Sequence, residues 1–594
     1  MSLCIPLLSI LCFMMTGVSA DVVPLNLLYW RSNVPTPTQD NYVTTKAVFE
    51  VNTIDSWDYL FVRREGYVMT NPEEGTIPLF VYYDSSLNDH VLSDEEFNST
   101  GYSKLYQAGY AYKTNTGHPE DSVAPLYLYY SATMHDHFSC ATQKGIRQAE
   151  EAGYKKLKII AYVLTSEPPS KFPRVTQDMN GTWWVTRNAK RFMTIGVNHA
   201  NNGGADDGVG GRESSTCKKQ YPNCGDTLSY APALKLSPYY QSTMARYGSE
   251  SAWSENTKNR LLKWNFNTVS GWSATLMEKQ PELFYCHLLD IGTTWFNHST
   301  MGDVFGEQMR EQMFAIAENE VAPRANDTNL IGWQLDNEFD FGQDFLAEYL
   351  TMNVEAAGRQ RAVAYLEETY KNIQNLDVAW NINATSFDNV ENHLKDKTLN
   401  ATRYAKDRDA FLYVFATQYF NLSSAAIRTY DTNHMILGMR FGSSNAPALL
   451  ASAPYVDWID QHMYSDLPNV GDLYQIHQFT GKPVIVGEFS FTALDSNLPN
   501  TRGARANHPY VNQTERAAAF SAYAKMLADQ HYVVGYHWWQ WADEPATGRW
   551  PDGEDSNYGL VHIDDDDYDV LTTEMTKTNA LVQKIHANLN STVL

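Results

Sequence analysis

Two short apolar segments, 331–338 and 483–488, have the composition of β-strands, and each ends on a glutamate, Glu338 and Glu488. Hydrolysis of a glycosidic bond needs one carboxylic acid to protonate the leaving oxygen and one carboxylate to attack or assist at the sugar carbon. In a (β/α)8 barrel all strands end on the face that carries the active site, so glutamates from two strands can point into one pocket. The two segments therefore indicate glycoside hydrolase chemistry.

The elements that position these glutamates are predicted by a run of strand-like segments after residue 190, most of them separated by polar or amphipathic stretches. The strand candidates are 192–198, 266–270, 284–288, 331–335, 435–439, 456–460, 483–486 and 533–537. Eight strands in this order predict an α/β fold, a (β/α)8 TIM barrel over 191–594. Glu338 then follows the fourth strand and Glu488 ends the seventh.

This placement resembles clan A glycoside hydrolases, which retain the anomeric configuration, because Asn337 directly precedes Glu338 at the fourth strand. The resemblance implies that Glu338 is the general acid/base, that Glu488 is the nucleophile and that Asn337 binds a sugar hydroxyl. Tyr464 matches the tyrosine that hydrogen-bonds the nucleophile. His462 either contacts the substrate or packs against the barrel wall.

Segments 196–198, 264–272, 536–549 and 552–559 resemble glycoside hydrolase family 50 agarases. The resemblance implies hydrolysis of β-glycosidic bonds in an algal galactan, with agarose as the first expectation. The alternatives are another clan A activity, such as a β-galactosidase or a carrageenan hydrolase, and a catalytically silent carbohydrate-binding glycoprotein. The expected substrate-binding residues in these segments are Asn198, Trp272, Trp539, Trp541, Asp543 and Arg549. Asp543 and Arg549 could equally form salt bridges within their loop, and strand alternation places at least one tryptophan of this stretch in the core.

An internal repeat occupies 21–168, where three segments, 24–30, 78–83 and 125–130, each begin with Pro-Leu and end on two aromatic residues, and the first unit is degenerate. In the second and third units an Asp-His pair follows the opening strand. The pattern predicts a smaller β-rich, pseudo-threefold domain and resembles a Tyr-rich repeat domain of uncharacterised function found on secreted proteins. Its tyrosines either stack on sugars or pack in a core. Residues 169–190 are predicted to be a linker.

Several features predict a secreted, extracellular glycoprotein. Residues 1–20 have the apolar stretch and the small-residue cleavage pattern of a signal peptide. Nine Asn-x-Ser/Thr sequons predict glycosylation at Asn98, Asn180, Asn297, Asn326, Asn383, Asn400, Asn421, Asn512 and Asn590. Cys217 and Cys224 are predicted to form a disulfide, while Cys140 and Cys286 either link the two domains or stay reduced.

The formal net charge of −24 disfavours nucleic acid and anionic membranes as partners, and its alternative role is to keep a secreted protein soluble. The polysaccharide substrate is implied by the family resemblance. No later segment has the length and apolar character of a membrane span. The acidic run 564–567 lacks the ligand spacing of an EF-hand loop, and no other pattern suggests a metal or a cofactor.

Overall fold

A computed structural model of the chain describes residues 22–31, 39–52, 59–119, 121–203, 237–293, 301–505, 508–546, 548 and 554–589. Several sequence predictions lie outside these described residues. They are the signal peptide, the Cys217–Cys224 disulfide, the sequons at Asn297 and Asn590, and the substrate contact of Arg549.

The front of the chain folds into nine strands that form three equivalent units of three. The strands are β1 (Val22–Arg31), β2 (Gln39–Thr44) and β3 (Tyr59–Met69), then β4 (Thr76–Asp84), β5 (Asp89–Ser93) and β6 (Ser103–Tyr112), then β7 (Val123–Ser131), β8 (Asp136–Cys140) and β9 (Lys155–Leu164). In each unit the first strand pairs antiparallel with the other two, and β3, β6 and β9 pair with one another in a closed cycle. This cyclic pairing gives the front region its pseudo-threefold order.

The sequence repeat explains why the units fold alike. β4 and β7 share the Pro-Leu-aromatic motif and have the same alternation of buried and half-buried residues, and β6 and β9 also share one burial pattern. In β4 the buried apolar side chains include Leu79 and Val81, and in β7 they include Leu126 and Leu128. Because side chains alternate across a strand, this spacing directs one face of each unit into the core.

The segment predicted as a linker is not a plain connection. Residues 174–192 form a three-stranded antiparallel sheet of β10 (Arg174–Gln177), β11 (Trp183–Arg187) and β12 (Lys190–Phe192). Trp183 is fully buried, its amide donates to the carbonyl of His531 at 2.7 Å, and its own carbonyl lies 2.8 Å from His586 Nε2. Turn-forming prolines suggested a linker, but large apolar side chains pack this sheet against the barrel.

The predicted barrel is confirmed as a closed ring of eight parallel strands. They are β13 (Thr194–Asn198), β14 (Thr268–Ser270), β15 (Phe284–Leu288), β16 (Leu330–Asn337), β17 (Met435–Phe441), β18 (Ile459–Gln461), β19 (Val484–Phe489) and β20 (Val533–Trp538). Most residues of these strands are buried, as expected for strands whose two faces contact the barrel interior and the surrounding helices.

Helices connect the barrel strands and cover their outer face. The described α-helices are α1 (Val48–Val51), α2 (Gln143–Glu151), α3 (Pro238–Tyr247), α4 (Glu250–Lys263), α5 (Thr275–Glu278), α6 (Glu307–Ile316), α7 (Phe345–Leu350), α8 (Ala357–Tyr370), α9 (Ile373–Trp380), α10 (Ala401–Tyr430), α11 (Ala446–Ser452), α12 (Val470–Thr480), α13 (Gln513–Ala528) and α14 (Asp569–Ala587). None of these helices combines the length and apolar character needed to cross a membrane.

The front region contacts the barrel at the end where its strands begin. Phe61 of β3 packs edge-on against His477 of α12, with ring centroids 5.2 Å apart, and Gly481 follows that helix. A Cβ at Gly481 would lie 3.3 Å from Val48 of α1. Since α12 leads into the start of β19, the two regions meet on the side of the barrel opposite the strand ends that carry the glutamates.

The two cysteines left open by the sequence are both free and buried, Cys140 on β8 and Cys286 on β15. Cys140 and Cys286 are therefore reduced and do not link the two domains. Burial raises the pKa of both thiols, so neither has the thiolate character of a reactive cysteine.

Seven of the nine sequon asparagines fall among the described residues. Asn98, Asn180, Asn326, Asn383, Asn400 and Asn421 are exposed, while Asn512 is half-buried and caps α13.

Candidate active site

The two strand-terminal glutamates converge at one end of the barrel. Glu338 directly follows β16, and its side chain is 33% exposed, while Glu488 on β19 is 5% exposed. One carboxylate oxygen of each, together with a ring nitrogen of His462, lie within 4.8 Å of one another. This spacing is close to the ~5–5.5 Å that separates the carboxyl groups of retaining glycosidases.

The backbone at Glu338 is shaped for this position. Its φ is 49°, in the left-handed region that non-glycine residues seldom adopt. Its amide donates to the carbonyl of Arg440 at 2.8 Å, which holds the turn to the neighbouring strand. Gly442 lies alongside, and a Cβ there would come within 3.0 Å of Glu338 Cγ. The missing side chain at Gly442 thus leaves room for the Glu338 side chain.

Glu488 is held by a hydrogen bond at one carboxylate oxygen and by an ion pair at the other. The hydroxyl of Tyr464 donates to Oε2 at 2.8 Å, and Nη2 of Arg440 lies 2.7 Å from Oε1. Burial and then the charge of Glu488 raise the pKa of Tyr464 well above its usual range, so its hydroxyl keeps the proton that it donates.

His462 lies between the two carboxylates and does not merely pack against the wall. Its Nδ1 is 2.6 Å from Oε1 of Glu338 and 3.5 Å from Oε2 of Glu488. Burial opposes protonation of the ring, but the negative charges of Glu488 and Glu338 outweigh it, and the pKa of His462 is raised. A protonated His462 donates toward both glutamates and reduces the repulsion between them.

Arg440 on β17, which the sequence analysis missed, contacts several residues of the site. Its side chain is fully buried, Nη1 donates to Oδ1 of Asn337 at 2.6 Å, and Nη2 donates to Oδ1 of Asn198 at 2.8 Å. With Glu488 and the face of Trp272, 4.9 Å from the guanidinium, it contacts residues from four other parts of the barrel ring. A charged residue at the end of a strand on this face was the available signal.

The two asparagines predicted to bind substrate differ in which side-chain atoms remain available to hydrogen-bond a substrate. Asn337 accepts from Arg440 through Oδ1, which fixes its amide so that Nδ2 is the group that can donate elsewhere. Asn198 also accepts from Arg440, and its Nδ2 donates to the carbonyls of Gly487 and Trp538 at 2.8 and 3.3 Å. Asn198 therefore builds the wall of the site, and the expectation that it binds substrate is corrected.

Trp272 and Trp539 form an aromatic corner beside the glutamates. Their rings meet edge to face at a centroid distance of 5.5 Å, and His199 stacks on Trp539 at 5.9 Å. Trp272 is half-buried and Trp539 is 6% exposed. Such rings offer apolar faces to a sugar.

Trp541 and Asp543 do not reach this pocket. Trp541 is fully buried, stacks on Trp264 at 6.0 Å and donates through Nε1 to Tyr239 at 2.6 Å. Asp543 is 2% exposed and accepts from the Tyr568 hydroxyl at 2.6 Å. Beyond β20 the chain runs inward against the barrel, so the prediction that these two residues bind substrate is wrong.

The close grouping of Glu338, His462 and Glu488 also has the spacing of a metal site. Tyr464 and Arg440 already contact Glu488, and a cation would compete with this guanidinium for the same carboxylate. The donors present fit a carboxylate that is held ionised for chemistry at carbon better than one that binds a metal.

Comparisons with known proteins agree with this geometry. Residues 297–511 match the glycosyl hydrolase 42 family, described as Beta-galactosidase. Two curated relatives from Vibrio sp. (strain JT0107) are Beta-agarase B, 26% identical over 60% of this chain and 38% of its own length, and Beta-agarase A, 26% identical over 58% and 37%. The chain thus spans well under half the length of these relatives.

Two solved structures with a similar fold are described as agarases. One described as an exo-beta-agarase has a TM-score of 0.60 at 20% identity and covers 70% of this chain and 66% of its own. Another, described as an agarase, has a TM-score of 0.59 at 21% identity over the same shares of the two chains. At these identities the likeness shows a shared fold.

Proposed function

We propose that the chain is a retaining glycoside hydrolase that cleaves β-glycosidic bonds of an algal galactan, most specifically agarose. The observation that carries the proposal is the approach of Glu338 and Glu488, from the fourth and seventh barrel strands, to within 4.8 Å between carboxylate oxygens. At this separation one carboxylate can reach the anomeric carbon directly, whereas an inverting enzyme needs a gap wide enough for a water molecule.

The first step is proton transfer coupled to attack. Glu338, as the more exposed carboxyl, donates its proton to the glycosidic oxygen, and the bond between that oxygen and the anomeric carbon breaks. An oxygen of Glu488 bonds to the anomeric carbon on the opposite face. Arg440 and Tyr464 hold Glu488 for this attack. The product is a covalent glycosyl-enzyme ester with inverted configuration.

The second step reverses these roles. Glu338, now ionised, removes a proton from water, and the water oxygen attacks the anomeric carbon while its bond to Glu488 breaks. Two inversions give net retention. Asn337 is suited to donate through Nδ2 to the hydroxyl beside the reacting carbon, because Arg440 fixes its amide in that orientation.

Agarose as the substrate rests on the named relatives and on the aromatic corner of Trp272 and Trp539, which suits the apolar faces of galactose units. A β-galactosidase is the second candidate, because residues 297–511 match a family with that description. A silent carbohydrate-binding barrel is disfavoured by the intact set of Glu338, Glu488 and Tyr464.

The cellular setting follows from this substrate. A galactan is too large to enter a cell, so its hydrolase has to act outside, and six described sequon asparagines are exposed for glycosylation. We infer that the front region supports the enzyme from the opposite end of the barrel and that any sugar it binds lies away from the cleft. Its Tyr82 and Tyr129 are buried, whereas the half-buried Tyr83 and Tyr130 are among its candidate sugar contacts.

The test is release of reducing ends from agarose, carrageenan and porphyran, together with a chromogenic β-galactoside, measured side by side. Glu488→Gln, purified in the same way, controls for contaminating hydrolases. The proposal predicts release from agarose by the wild-type protein alone. Cleavage of only the small β-galactoside would favour the second candidate, and no release from any substrate would contradict both.

A further inference from the structure

A cavity of about 210 Å³ lies where the front region, the small sheet and the barrel meet. Val48 and Phe61 of the front region line it, together with Trp183 of β11 and the turn at Gly481. It lies near the start of β19, on the side of the barrel opposite Glu338 and Glu488. The end of a barrel away from the strand termini serves stability in this fold, so the cavity is separate from the proposed chemistry.

Charged side chains line this cavity, and positive charge is in excess. The cations are Arg64, Arg174 and Lys482, and the carboxylates are Glu167 and Asp457. Both carboxylates already have a cation, because Arg64 lies 3.5 Å from Glu167 and Arg428, outside the cavity lining, lies 4.0 Å from Asp457.

Arg174 and Lys482 are left without a close ion-pair partner. Among the described residues, no carboxylate oxygen lies within 4.0 Å of either cation. Nη1 of Arg174 donates to the carbonyl of Pro173, and Lys482 Nζ lies 5.7 Å above the ring of Phe49. Burial lowers the pKa of Lys482 and of Arg174, and the more distant Asp457 only partly offsets it. Two desolvated cations that share one cavity repel each other unless an anion joins them.

Two further donors that belong to lining residues lack an acceptor in the described part of the chain. Nε1 of Trp183, a fully buried residue, and Nε of Arg64 have no acceptor among the described protein atoms. A ligand that only accepts hydrogen bonds can satisfy such donors, whereas a water molecule brings donors of its own that need acceptors. The volume admits a tetrahedral oxyanion.

We propose that this cavity is a binding site for a small oxyanion, of the sulfate or phosphate class, which joins Arg174 and Lys482 and fastens the front region to the barrel. The anion adds no net repulsion, since it neutralises charge that the two carboxylates leave uncompensated. It stabilises the contact between α1, β3 and the turn after α12, and it takes no part in hydrolysis.

The test is a titration of the full-length protein with sodium sulfate and with sodium phosphate, against sodium chloride at equal ionic strength. Calorimetry reports stoichiometry, and thermal unfolding reports stabilisation. We expect one saturable site and a Tm that rises with the logarithm of sulfate concentration once the site is filled. Lys482→Met and Arg174→Met should each weaken the affinity at least tenfold, and Lys482→Arg should largely retain it.

Lys279→Met is the matched control, because it removes the same charge from an exposed position outside the cavity. Sulfate also stabilises proteins by exclusion from their surface, and that effect is neither saturable nor sensitive to these substitutions. Equal Tm shifts in the wild-type protein, Lys279→Met and both cavity variants would overturn the proposal. If one cavity variant fails to fold, the other carries the comparison.

Free sulfate and the sulfate half-ester of a sugar present the same oxygens, so a sulfated monosaccharide forms a second arm of the titration. Binding of either supports the site, and their relative affinities identify the source. Hydrolytic activity is not the readout, so the result stands whether or not the proposed galactan hydrolysis is correct.

Discussion

Two groups of acidic residues in this molecule have similarly short distances between their carboxyl groups but differ in exposure to solvent. In the barrel, Glu338 and Glu488 approach with His462, and in the front region three aspartates do so, each group having ligand atoms within 4.8 Å of one another. The front aspartates, Asp40, Asp89 and Asp136, are 0% exposed, whereas Glu338 is 33% exposed.

The front aspartates are saturated by hydrogen bonds that close the repeat. Asp40 accepts from the amide and Nδ1 of His90 at 3.0 and 2.6 Å, and Asp89 accepts from the same groups of His137 at 2.9 and 2.6 Å. Asp136 accepts from the amide and side chain of Asn41 at 3.2 and 2.7 Å. Each contact joins one unit to the next, and each aspartate also accepts from a tyrosine of its own unit, namely Tyr59, Tyr102 and Tyr154.

Convergence of carboxylates alone therefore does not identify an active site. Both groups bring carboxyl groups together, but the front group uses its oxygens to connect strands and excludes solvent. The barrel group keeps one carboxyl accessible and holds the other with a tyrosine and an arginine. A candidate active site is distinguished from a structural cluster less by the distance between its carboxyl groups than by two other features. Its carboxyl groups are accessible to solvent, and they have hydrogen-bonding positions that the protein does not fill.

The largest expected effect comes from removing the charge of either glutamate. Glu338→Gln and Glu488→Gln should each lower kcat by at least about 10³-fold, because each removes one step of the double displacement. Thermal unfolding should change little, since glutamine has nearly the same shape. If either variant turned over the wild-type substrate at a near-normal rate, the barrel glutamates would not be catalytic. They would then not differ in function from the front aspartates.

A smaller loss is expected at Arg440. Arg440→Ala should lower kcat/KM by about 10²–10³-fold, with most of the effect in kcat, because Glu488 loses its ion pair and Asn337 loses the hydrogen bond that orients it. Added guanidinium should restore part of the activity by occupying the vacated space. A purely structural role predicts loss of folded protein with no rescue, and that outcome would contradict the assignment of Arg440 as a positioning residue.

In the front region the expected effect is on stability. Asp89→Ala leaves the donors of His137 and Tyr102 without an acceptor and should lower the free energy of unfolding of this region by about 1–3 kcal/mol for each unsatisfied donor. Asp94→Ala, which removes a partly exposed ion pair with Lys158, should cost less than about 1 kcal/mol. Urea unfolding measures both, and activity below the transition should be unchanged. A catalytic deficit in folded Asp89→Ala would break the comparison.

The smallest effect is a pH dependence. Burial, reinforced by the charges of Asp40 and Asp89, raises the pKa of Asp136 from 3.8 to about 8. The folded state then holds this proton more tightly than the unfolded state. The stabilising contribution of Asp136 to the free energy of unfolding is therefore fully present below pH 3.8 and is lost as pH rises through about 8. Asp136→Asn cannot ionise, so urea midpoints between pH 5 and 9 should fall less steeply than in the wild-type protein. Equal slopes would contradict this account of the aspartate cluster.

Much of the barrel could be predicted because its strands are short apolar runs with clear ends. The third strand matches residue for residue, and the others differ by one to three residues at an end. The sequence shows Arg440 as a charged residue at the end of a strand, but its role could not be predicted, because its partners come from four other parts of the ring. Trp541 and Asp543 were misassigned because the inward path after β20 is a tertiary feature.

The front region shows the same limit. The second and third units display Asp89 and Asp136 beside histidines, but the first unit replaces the histidine with Asn41, so its equivalent, Asp40, was not recognised. Only the folded chain brings the three carboxylates to one axis.

The most direct test of the central claim is azide rescue of Glu488→Gly, with the configuration of the product read by NMR. If Glu488 is the nucleophile, its removal opens space on that face of the sugar for azide to attack once, and activity should return with a glycosyl azide of inverted configuration. The same treatment of Glu338→Gly should give a product of retained configuration. Failure of azide to restore turnover to Glu488→Gly, or a retained product from it, would contradict the assignment of Glu488 as the nucleophile of a retaining hydrolase.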